Sequence, residues 1–589
     1  MKSTLPRPNK MLLTATVIVL IAMACKKKNS GPIDPPPPPP PPPVTAKDTV
    51  PTDPATAASV GFFMDTWQPK NFTVPGSVTD QTLTSDPAAI TVTVNTGQVL
   101  AKMPPNYYGN NSNLWIGELN NEPVMLNNLS NFQPRILRGP AGSVSDVFFF
   151  NAPNNTPPAD VPVELVKEDG TKEQSYFWYG KNSENWTFSI DGYYDLLQKT
   201  NCVGLLTANY GYARYGTGTD PVAAAAHLAA DWVRYDNGRT KYWEVGNENF
   251  GGWEAGYRID KTKNKDGQPE IVTGELYGKH FNVFYDSMHA AAIEVGTTIK
   301  VGALLYDSPP QTWNTATVKG WNGGVFAEAG NKPDFYIVHS YFTNYNENST
   351  AATILATATT VPSIIKNYIT GGITNSGLTQ KPIIMTEWNL FSSGSKQNVS
   401  HVAGMHAVLT IGEFIKTGYG ASLRWDLANG WSNGDDHGLF SLSDEPGVAK
   451  WNPRPAFYHM YYFQKYTGDR MLSSSAGGSN DIASIATSFT SGQKGVILVN
   501  KSSTPKTVET KFQYFTPGTK FYYYLLNGGT DGGEFSRKVI VNGEGPANGI
   551  AGGPYDSYQT IKMYATSAAN GIKITLPARS VVFMVVDKK

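Results

Sequence analysis

The stretch KYWEVGNENF, residues 241–250, joins an apolar run to a neighbouring amide and carboxylate. Residues 242–245 have the composition of a buried β-strand, and Asn247 and Glu248 follow directly behind them. The stretch PIIMTEWNL, residues 382–390, has the same form, with Glu387 late in its apolar run. Two strands that each end in a glutamate indicate a sheet whose strand ends carry the functional side chains.

Between and around these two stretches, short apolar runs alternate with amphipathic helical segments over residues 106–468. This alternation is typical of repeated βα units and a parallel sheet. Asp220 is expected to cap the helix after the third strand, with Pro221 at its first position. Eight strands alternating with helices predict an α/β fold of the (β/α)8 TIM-barrel type. The predicted strands are 106–115, 134–142, 203–211, 240–248, 299–307, 334–342, 382–390 and 421–429.

The segments on either side of the barrel have different patterns. Residues 469–589 contain strand-like runs separated by turn residues without a helical period, which predicts a C-terminal β-sandwich. The alternation at residues 90–95 predicts a strand in the N-terminal segment 58–105, which could add an edge to the sandwich. Residues 25–57 include nine consecutive prolines and predict a disordered, extended linker.

The first 24 residues have the pattern of an export signal: a basic start and an apolar run at 11–24 that is too short to span a membrane. The small residue Ala24 before Cys25 resembles a bacterial lipoprotein cleavage site. We therefore expect a lipidated Cys25 that anchors the protein in the bacterial cell envelope, at the outer membrane or in the periplasm. The alternative is a secreted protein that is cleaved elsewhere.

Composition excludes one class of partner and favours another. The net charge is zero and the pI about 7.1, so there is no electrostatic basis for binding nucleic acid. Aromatic residues make up 12% of the chain, which suits a protein that binds sugars, although aromatics also fill ordinary cores. The predicted partners are therefore a carbohydrate substrate and, through the anchor, a membrane.

Two carboxyl groups at the mouth of a barrel suit the hydrolysis of a glycosidic bond. The C-terminal ends of barrel strands form the active site, and the fourth and seventh strands lie across the mouth from each other. A retaining glycosidase places its two carboxyl groups about 5–5.5 Å apart. Glu248 and Glu387 are therefore the predicted catalytic pair. The alternative for Glu248 is a surface glutamate in a cap or an ion pair.

The stretch ADWVRYDNGRTKYWEVGNE, residues 230–248, together with MTEWN, residues 385–389, resembles the clan A retaining glycoside hydrolases. The resemblance covers the barrel and is closest to glycoside hydrolase family 51, the α-L-arabinofuranosidases. It implies that Glu248 is the general acid/base, Glu387 the nucleophile and Asn247 a ligand of the sugar 2-hydroxyl, without cofactor or metal. Residues 138–146, RGPAGSVSD, depart from the Pro-Gly-Gly turn of family 51, so the clan is the closer match.

The same resemblance implies roles for four further side chains at strand ends. Arg138 would support the nucleophile, since a fixed positive charge keeps Glu387 ionised. His339 and Tyr341 would orient the nucleophile, and Trp425 would form the floor beneath the sugar. The alternatives are a core arginine in an ion pair, a buried histidine with internal partners and a packed tryptophan.

Three other aromatic residues are candidate platforms for neighbouring sugars. Trp253 follows the Asn-Glu pair, Trp431 follows the eighth strand, and Tyr210, after the third strand, is a weaker candidate. Packing within the protein is the alternative for each of them.

The loop after the eighth strand contains several possible metal ligands. Carboxylates and histidine are common ligands, but their spacing here matches no calcium loop. We therefore predict a polar rim that touches substrate and no metal site. The residues are Asp435, Asp436, His437 and Asp444.

The sequence thus predicts a retaining glycoside hydrolase that acts on plant or algal polysaccharide or its oligosaccharides, most similar to an α-L-arabinofuranosidase. Another clan A activity is the first alternative: a β-xylosidase, an endo-acting hemicellulase or an agarase. A non-catalytic surface glycan-binding lipoprotein is the second. Such a protein would keep the aromatic residues without needing both glutamates.

Overall fold

The computed structural model describes residues 51–442 and 444–589, which belong to one compact unit. The predicted signal peptide, Cys25 and the proline run lie outside the described residues. Within the described part of the chain, every helix is too short or too polar to cross a membrane.

The elements are numbered in chain order. The α-helices of the described chain are α1 (Pro123–Phe132), α2 (Ile190–Thr200), α3 (Gly211–Tyr215), α4 (Pro221–Asp236), α5 (Gly274–Glu294), α6 (Ala316–Ala329), α7 (Ala351–Asn375), α8 (His401–Thr417) and α9 (Pro455–Tyr466). The strands before α5 are β1 (Thr79–Asp80), β2 (Ile90–Lys102), β3 (Gly109–Asn111), β4 (Ile136–Gly139), β5 (Phe148–Phe149), β6 (Glu164–Val166), β7 (Lys172–Gln174), β8 (Trp178–Tyr179), β9 (Val203–Ala208) and β10 (Tyr242–Val245). The later strands are β11 (Lys300–Leu304), β12 (Phe335–Tyr341), β13 (Ile383–Asn389), β14 (Ala421–Arg424), β15 (Ala428–Asn429), β16 (Phe440–Ser441), β17 (Arg470–Ala476), β18 (Ile482–Ser488), β19 (Lys494–Asn500), β20 (Lys506–Gln513), β21 (Pro517–Gly528), β22 (Val539–Val541), β23 (Tyr564–Ser567), β24 (Ile572–Leu576) and β25 (Ser580–Lys588).

Eight parallel strands close into a barrel in the order β3-β4-β9-β10-β11-β12-β13-β14, and β14 pairs back to β3. Each of them lies inside one of the eight predicted ranges, so the TIM-barrel prediction is confirmed. The apolar runs are nearly continuous because the barrel interior covers one face of each strand and helices cover the other. All residues of β10 and β13 are buried accordingly.

The helices between the strands begin and end at the predicted residues where the sequence carries strong signals. The Asp220 carboxylate accepts a hydrogen bond from the backbone N–H of Ala223 at 2.9 Å, and Pro221 is the first residue of α4. Helix α8 ends at Thr417, and Gly418 directly after it has a φ of 76°, in the left-handed region that glycine adopts at low cost.

Residues 51–66 pack against the N-terminal end of the barrel. The fully buried ring of Phe63 lies 4.8 Å from that of Tyr242 and 5.7 Å from that of Phe335, between centroids. Further upstream, Asp53 accepts hydrogen bonds from Arg470 at 2.5 and 3.0 Å. Asp53 of the predicted linker therefore contacts β17, and the disorder of residues 25–57 stays a prediction.

A mixed sheet of eleven strands lies beyond the barrel in the order β1-β23-β21-β25-β19-β18-β17-β2-β20-β24, with β22 paired to β21. Its two faces are best seen along β25, where Val582, Met584 and Val586 enter a second apolar core. Val581 and Phe583 alternate with them and join the barrel core. The predicted C-terminal β-sandwich is confirmed as a strand-rich region, and β2 lies inside the sheet between β17 and β20 rather than at its edge.

A buried ion network connects the loop after β14 to the C-terminal sheet. Glu445 accepts hydrogen bonds from Arg454 at 2.5 Å and from Arg537, which precedes β22. Arg454 also forms an ion pair with Asp436, and all but Arg537 are almost fully buried. Charges at this depth are tolerated because each has an opposite partner.

Replacing Glu445 by alanine should lower the free energy of unfolding by about 3–5 kcal/mol, because it leaves the buried Arg454 with one carboxylate fewer. Denaturant unfolding measures the change. The matched control is Glu294→Ala, which removes an exposed partner of Arg234 and should change stability far less. Equal effects of the two substitutions would contradict a structural role for the network.

Candidate active site

The two predicted catalytic glutamates reach the C-terminal mouth of the barrel from different backbone settings. Glu387 lies within β13, where it pairs in register with His339 of β12. Glu248 lies three residues beyond the end of β10, although the sequence predicted a strand up to this residue. The chain turns at Gly246, with φ of 78°, and Glu248 itself has a φ of 43°. The left-handed turn ends the strand early and directs the glutamate to the mouth.

The carboxyl groups of Glu248 and Glu387 meet at His339. The Nδ1 atom of His339 lies 3.0 Å from Oε1 of Glu248 and 3.6 Å from Oε1 of Glu387. One ligand atom from each of the three side chains falls within 4.8 Å of the other two. One oxygen of each carboxyl group is therefore no more than 4.8 Å from the other, which is compatible with the roughly 5–5.5 Å between the carboxyl groups of a double-displacement mechanism.

Arg138 is the centre of the hydrogen-bond network beneath the pair. Its fully buried guanidinium donates to Glu387 at 2.6 Å, to Asn247 at 2.8 Å and to Asn111 at 3.1 Å. It also donates to Glu244, which lies in the middle of β10. A planar guanidinium with five N–H groups can serve all four acceptors at once.

Glu387 is the better stabilised of the two glutamates in its ionised form. It accepts from Arg138 and, at 2.9 Å, from the hydroxyl of Tyr341. Burial raises the pKa of the Glu387 carboxyl above its ordinary value, and the positive charge of Arg138 opposes that rise. An arginine and a phenol donating to the same carboxylate favour the negative charge on Glu387.

Glu248 has weaker donors. It accepts from the indole N–H of Trp253 at 3.1 Å and faces His339 at 3.0 Å. Desolvation raises the pKa of the Glu248 carboxyl above its ordinary value. Burial lowers the pKa of His339 to about 4, so this ring is neutral near pH 7 and adds no positive charge beside Glu248. The stronger donors at Glu387 therefore favour its ionisation over that of Glu248.

Three buried carboxyl groups of the site were missed at the sequence level. Glu244 accepts from Arg138 and, at 2.6 Å, from the hydroxyl of Thr207. A charged residue inside the apolar run 242–245 was a usable signal, because a buried charge requires a partner. Asp146 and Glu254 carried no such signal, since both lie in loops that only the fold brings together.

Asp146 and Glu254 hold the backbone and the amide of Asn247. Asp146 accepts from the Asn247 N–H at 3.3 Å and from the side chain of Asn249 at 2.7 Å. Glu254 accepts from the Asn247 amide at 2.8 Å and from the hydroxyl of Ser143 at 2.8 Å. Burial raises the pKa of Asp146 to about 7 and that of Glu254 well above its ordinary value.

The aromatic candidates take different positions. Trp425 is 9% exposed and packs against Gly142, where a side chain would collide with its ring. Trp253 is 65% exposed beside Glu248, whereas Trp431 is stacked with Arg454 and Arg537. These positions leave Trp253 as the most open aromatic surface of the three.

The prediction of Tyr210 as a sugar platform is wrong. Its ring is 1% exposed, and its hydroxyl lies 3.2 Å from Nδ1 of His280. It packs among Tyr277 and Phe284 in the core because helix α3 begins directly after it and turns it inward.

The polar loop after β14 uses its carboxylates internally. Asp435 accepts from the Gly394 N–H at 2.9 Å, Asp444 from the Trp431 N–H at 2.6 Å, and Asp436 pairs with Arg454. In the described part of the chain, the group with metal-ligand spacing is Glu248, His339 and Glu387 itself. The guanidinium of Arg138 donates to Glu387 and already places a positive charge beside this group.

No family model and no curated protein sequence matches this chain. Its fold is similar to that of the α-L-arabinofuranosidase from Thermotoga maritima, solved as an arabinose complex, with a TM-score of 0.57, 14% identity, and coverage of 85% of this chain and 100% of that one. It is also similar to the family 51 α-L-arabinofuranosidase from Thermotoga petrophila RKU-1, with a TM-score of 0.57, 15% identity, and coverage of 85% of this chain and 100% of that one. A family 44 xyloglucanase from Paenibacillus polymyxa has a TM-score of 0.52 and 11% identity, with coverage of 86% of this chain and 100% of that one. At identities this low the comparison shows a shared fold, and it confirms the sequence resemblance at that level.

Proposed function

We propose that the protein is a retaining glycoside hydrolase that acts on plant or algal polysaccharide or its oligosaccharides. The observation that carries the proposal is the meeting of Glu248 and Glu387 within 4.8 Å at the mouth of the barrel, with His339 between them. Two carboxyl groups at this separation fit one anomeric centre, one as nucleophile and one as acid/base.

The reaction takes place in two displacements. The Glu387 carboxylate attacks the anomeric carbon, and the bond to the leaving oxygen breaks as Glu248 gives that oxygen its proton. Glu248, now ionised, removes a proton from water, which attacks the glycosyl-enzyme and releases the sugar with its configuration retained. Glu387 returns as a carboxylate and Glu248 as an acid.

The surrounding residues prepare the two glutamates and the substrate. Arg138 and Tyr341 hold the Glu387 carboxylate in place and favour its charge. The Asn247 amide gives one N–H to Glu254, and its second N–H is the donor that we assign to the sugar 2-hydroxyl. Contacts to this hydroxyl strengthen in the transition state.

The sugar that we propose is an α-L-arabinofuranosyl group, with the other clan A activities as the second candidate. The first rests on the sequence resemblance and on the likeness in fold to arabinofuranosidases. The likeness in fold to a xyloglucanase and to a bifunctional glucanase-xylanase supports the second candidate. A screen of chromogenic arabinofuranosides, xylosides and galactosides, together with polysaccharides, separates them. The protein lacking residues 1–44 is the enzyme, and its Glu248→Ala variant is the control.

We also propose that a lipidated Cys25 anchors this enzyme to the cell envelope. Because the thioether of Cys25 would carry the lipid, Cys25→Ala should move the full-length protein from the membrane fraction to the soluble fraction. Fractionation of expressing cells measures the shift. A variant that stays with the membranes would contradict the anchor.

Replacing Glu248 by glutamine should lower kcat/KM for glycosides with poor leaving groups by roughly 10²–10⁴-fold, because no acid remains to protonate the departing oxygen. Activated aryl glycosides should lose much less. Glu248 acts in its protonated form, so wild-type kcat/KM should fall as pH rises through its raised pKa. This fall of kcat/KM at high pH should be absent from the profile of the Glu248→Gln variant. A variant that keeps the same fall would show that another residue is the acid.

A further inference from the structure

A groove of about 630 Å³ begins at Trp253, directly beside Glu248. It is lined by Ser143, Val144 and Val147, by the β6–β7 hairpin with Tyr176, and by residues 252–255. We call it the hairpin groove. Its volume falls in the range of roughly 300–1,000 Å³ that is usual for ligand sites.

The groove lies on the side of Glu248 from which a leaving group departs. Oε1 of Glu248 faces His339 and thereby Glu387, whereas Oε2 accepts from Trp253. In a double displacement the nucleophile attacks one face of the sugar, and the leaving group departs from the opposite face, next to the acid. A leaving group protonated by Glu248 therefore emerges next to Trp253.

The lining has the chemistry of a sugar-binding surface. Trp253 and Tyr176 are 65% and 78% exposed, and both line the same groove together with polar and aliphatic side chains. Two exposed aromatic side chains in one groove can bind one ligand, and their flat faces suit the C–H faces of sugars.

A buried polar atom at the groove has no partner in the protein. Glu254 is 3% exposed, and its Oε2 atom makes no hydrogen bond, whereas Oε1 accepts from Asn247 and Ser143. Burial raises the pKa of Glu254 well above its ordinary value. A buried carboxyl oxygen without a partner is costly, and the hydroxyl group of a bound sugar would satisfy it.

The charge of the groove selects against acidic chains. Glu168, Asp169 and Glu173 line it together with a single basic residue, Lys167, which pairs with Glu173 at 3.2 Å. A lining with more acids than bases repels uronate or sulfate groups.

The hairpin wall is fixed to the loop that carries Trp253. Arg258 of that loop donates to the backbone carbonyl of Glu168 at 2.6 Å. Its backbone also forms an isolated antiparallel β-bridge with Val166. Lys172 forms an ion pair with Asp260 at 2.6 Å. A wall that is already in place loses little conformational entropy when a ligand binds.

We propose that the hairpin groove binds the leaving-group side of a neutral glycan chain, so that the enzyme cleaves sugars attached to a chain in preference to small glycosides. The inference rests on the proposed function and adds a second binding surface to it. Trp253 and Tyr176 would stack against the chain, and the unpartnered Oε2 atom of Glu254 would form a hydrogen bond with one of its hydroxyl groups.

The test compares a neutral oligosaccharide with an aryl glycoside of the same terminal sugar. In Tyr176→Ala, the ratio of kcat/KM for the oligosaccharide to that for the aryl glycoside should fall roughly five- to tenfold, mainly through KM. The matched control is Trp186→Ala, which removes an exposed aromatic side chain that lies between β8 and α2 and does not line the groove. It should leave the ratio unchanged.

An unchanged ratio in Tyr176→Ala, or an equal change in Trp186→Ala, would overturn the groove assignment. A wild-type protein that hydrolyses no glycoside would instead refute the proposed function. In that case the groove is tested by calorimetric titration with neutral xylo- and cello-oligosaccharides, whose affinity should still fall in Tyr176→Ala. Tighter binding of a polyuronate than of neutral oligosaccharides would also overturn the proposal.

Discussion

Replacing Glu387 by glycine should abolish hydrolysis, with kcat falling by on the order of 10⁴-fold or more, because no covalent intermediate can form. Sodium azide should restore turnover of an activated aryl glycoside. Azide would occupy the space left by the side chain and attack the same face of the sugar. The product should therefore be a glycosyl azide with the anomeric configuration opposite to that of the substrate, which NMR identifies.

A matched control comes from a second Asn-Glu pair of the chain. Glu347 follows Asn346 in an exposed turn, where it accepts a hydrogen bond from Asn344 at 2.7 Å. Because its carboxylate bonds to Asn344 in its own turn, Glu347→Gly should retain wild-type kcat. Full activity in Glu387→Gly would remove Glu387 from the mechanism. A wild-type protein that binds glycans and hydrolyses none would favour the non-catalytic alternative.

Replacing Arg138 by methionine should lower the free energy of unfolding by about 3–5 kcal/mol, because Glu244 and Glu387 lose their shared buried partner. Hydrolysis should also fall by roughly 10²–10³-fold, as expected when a preorganised charge is removed from an active site. Arg138 lowers the pKa of Glu387. Without Arg138 that pKa rises, so the acidic limb of the kcat/KM profile should move to higher pH.

Three comparisons separate these effects. Arg138→Lys keeps the charge but cannot reach four acceptors from one ammonium, so it should regain stability more than activity. Combining Arg138→Met with Glu244→Gln should recover part of the lost stability, because one uncompensated charge is removed. Arg214 is equally buried and donates to Gln268 and to backbone carbonyls. Its methionine variant should lose stability without moving the acidic limb. If the acidic limb of the kcat/KM profile stays at the same pH in Arg138→Met, Arg138 does not lower the pKa of Glu387.

Local signals in the sequence determined the barrel and its catalytic pair. The apolar runs that form β10 and β13 are buried on both faces. A strand of this kind needs nearly continuous apolar residues, and such a run is visible within a few positions of the sequence. The cap at Asp220 and the stop at Gly418 are local in the same way. Placing Glu248 and Glu387 at strand ends then followed from the rule that barrel mouths hold active sites.

Tertiary structure alone decided how the catalytic pair is supported and what lies beside it. Asp146 and Asn247 are 101 residues apart and meet through a hydrogen bond that no local pattern encodes. The burial of Tyr210 against His280 and the placement of the β6–β7 hairpin beside Trp253 are of the same kind. Periodicity reports which face of an element is covered, whereas the identity of the covering group depends on how distant segments pack. The sequence therefore determined the two acids, and the folded chain determined their partners and their distance.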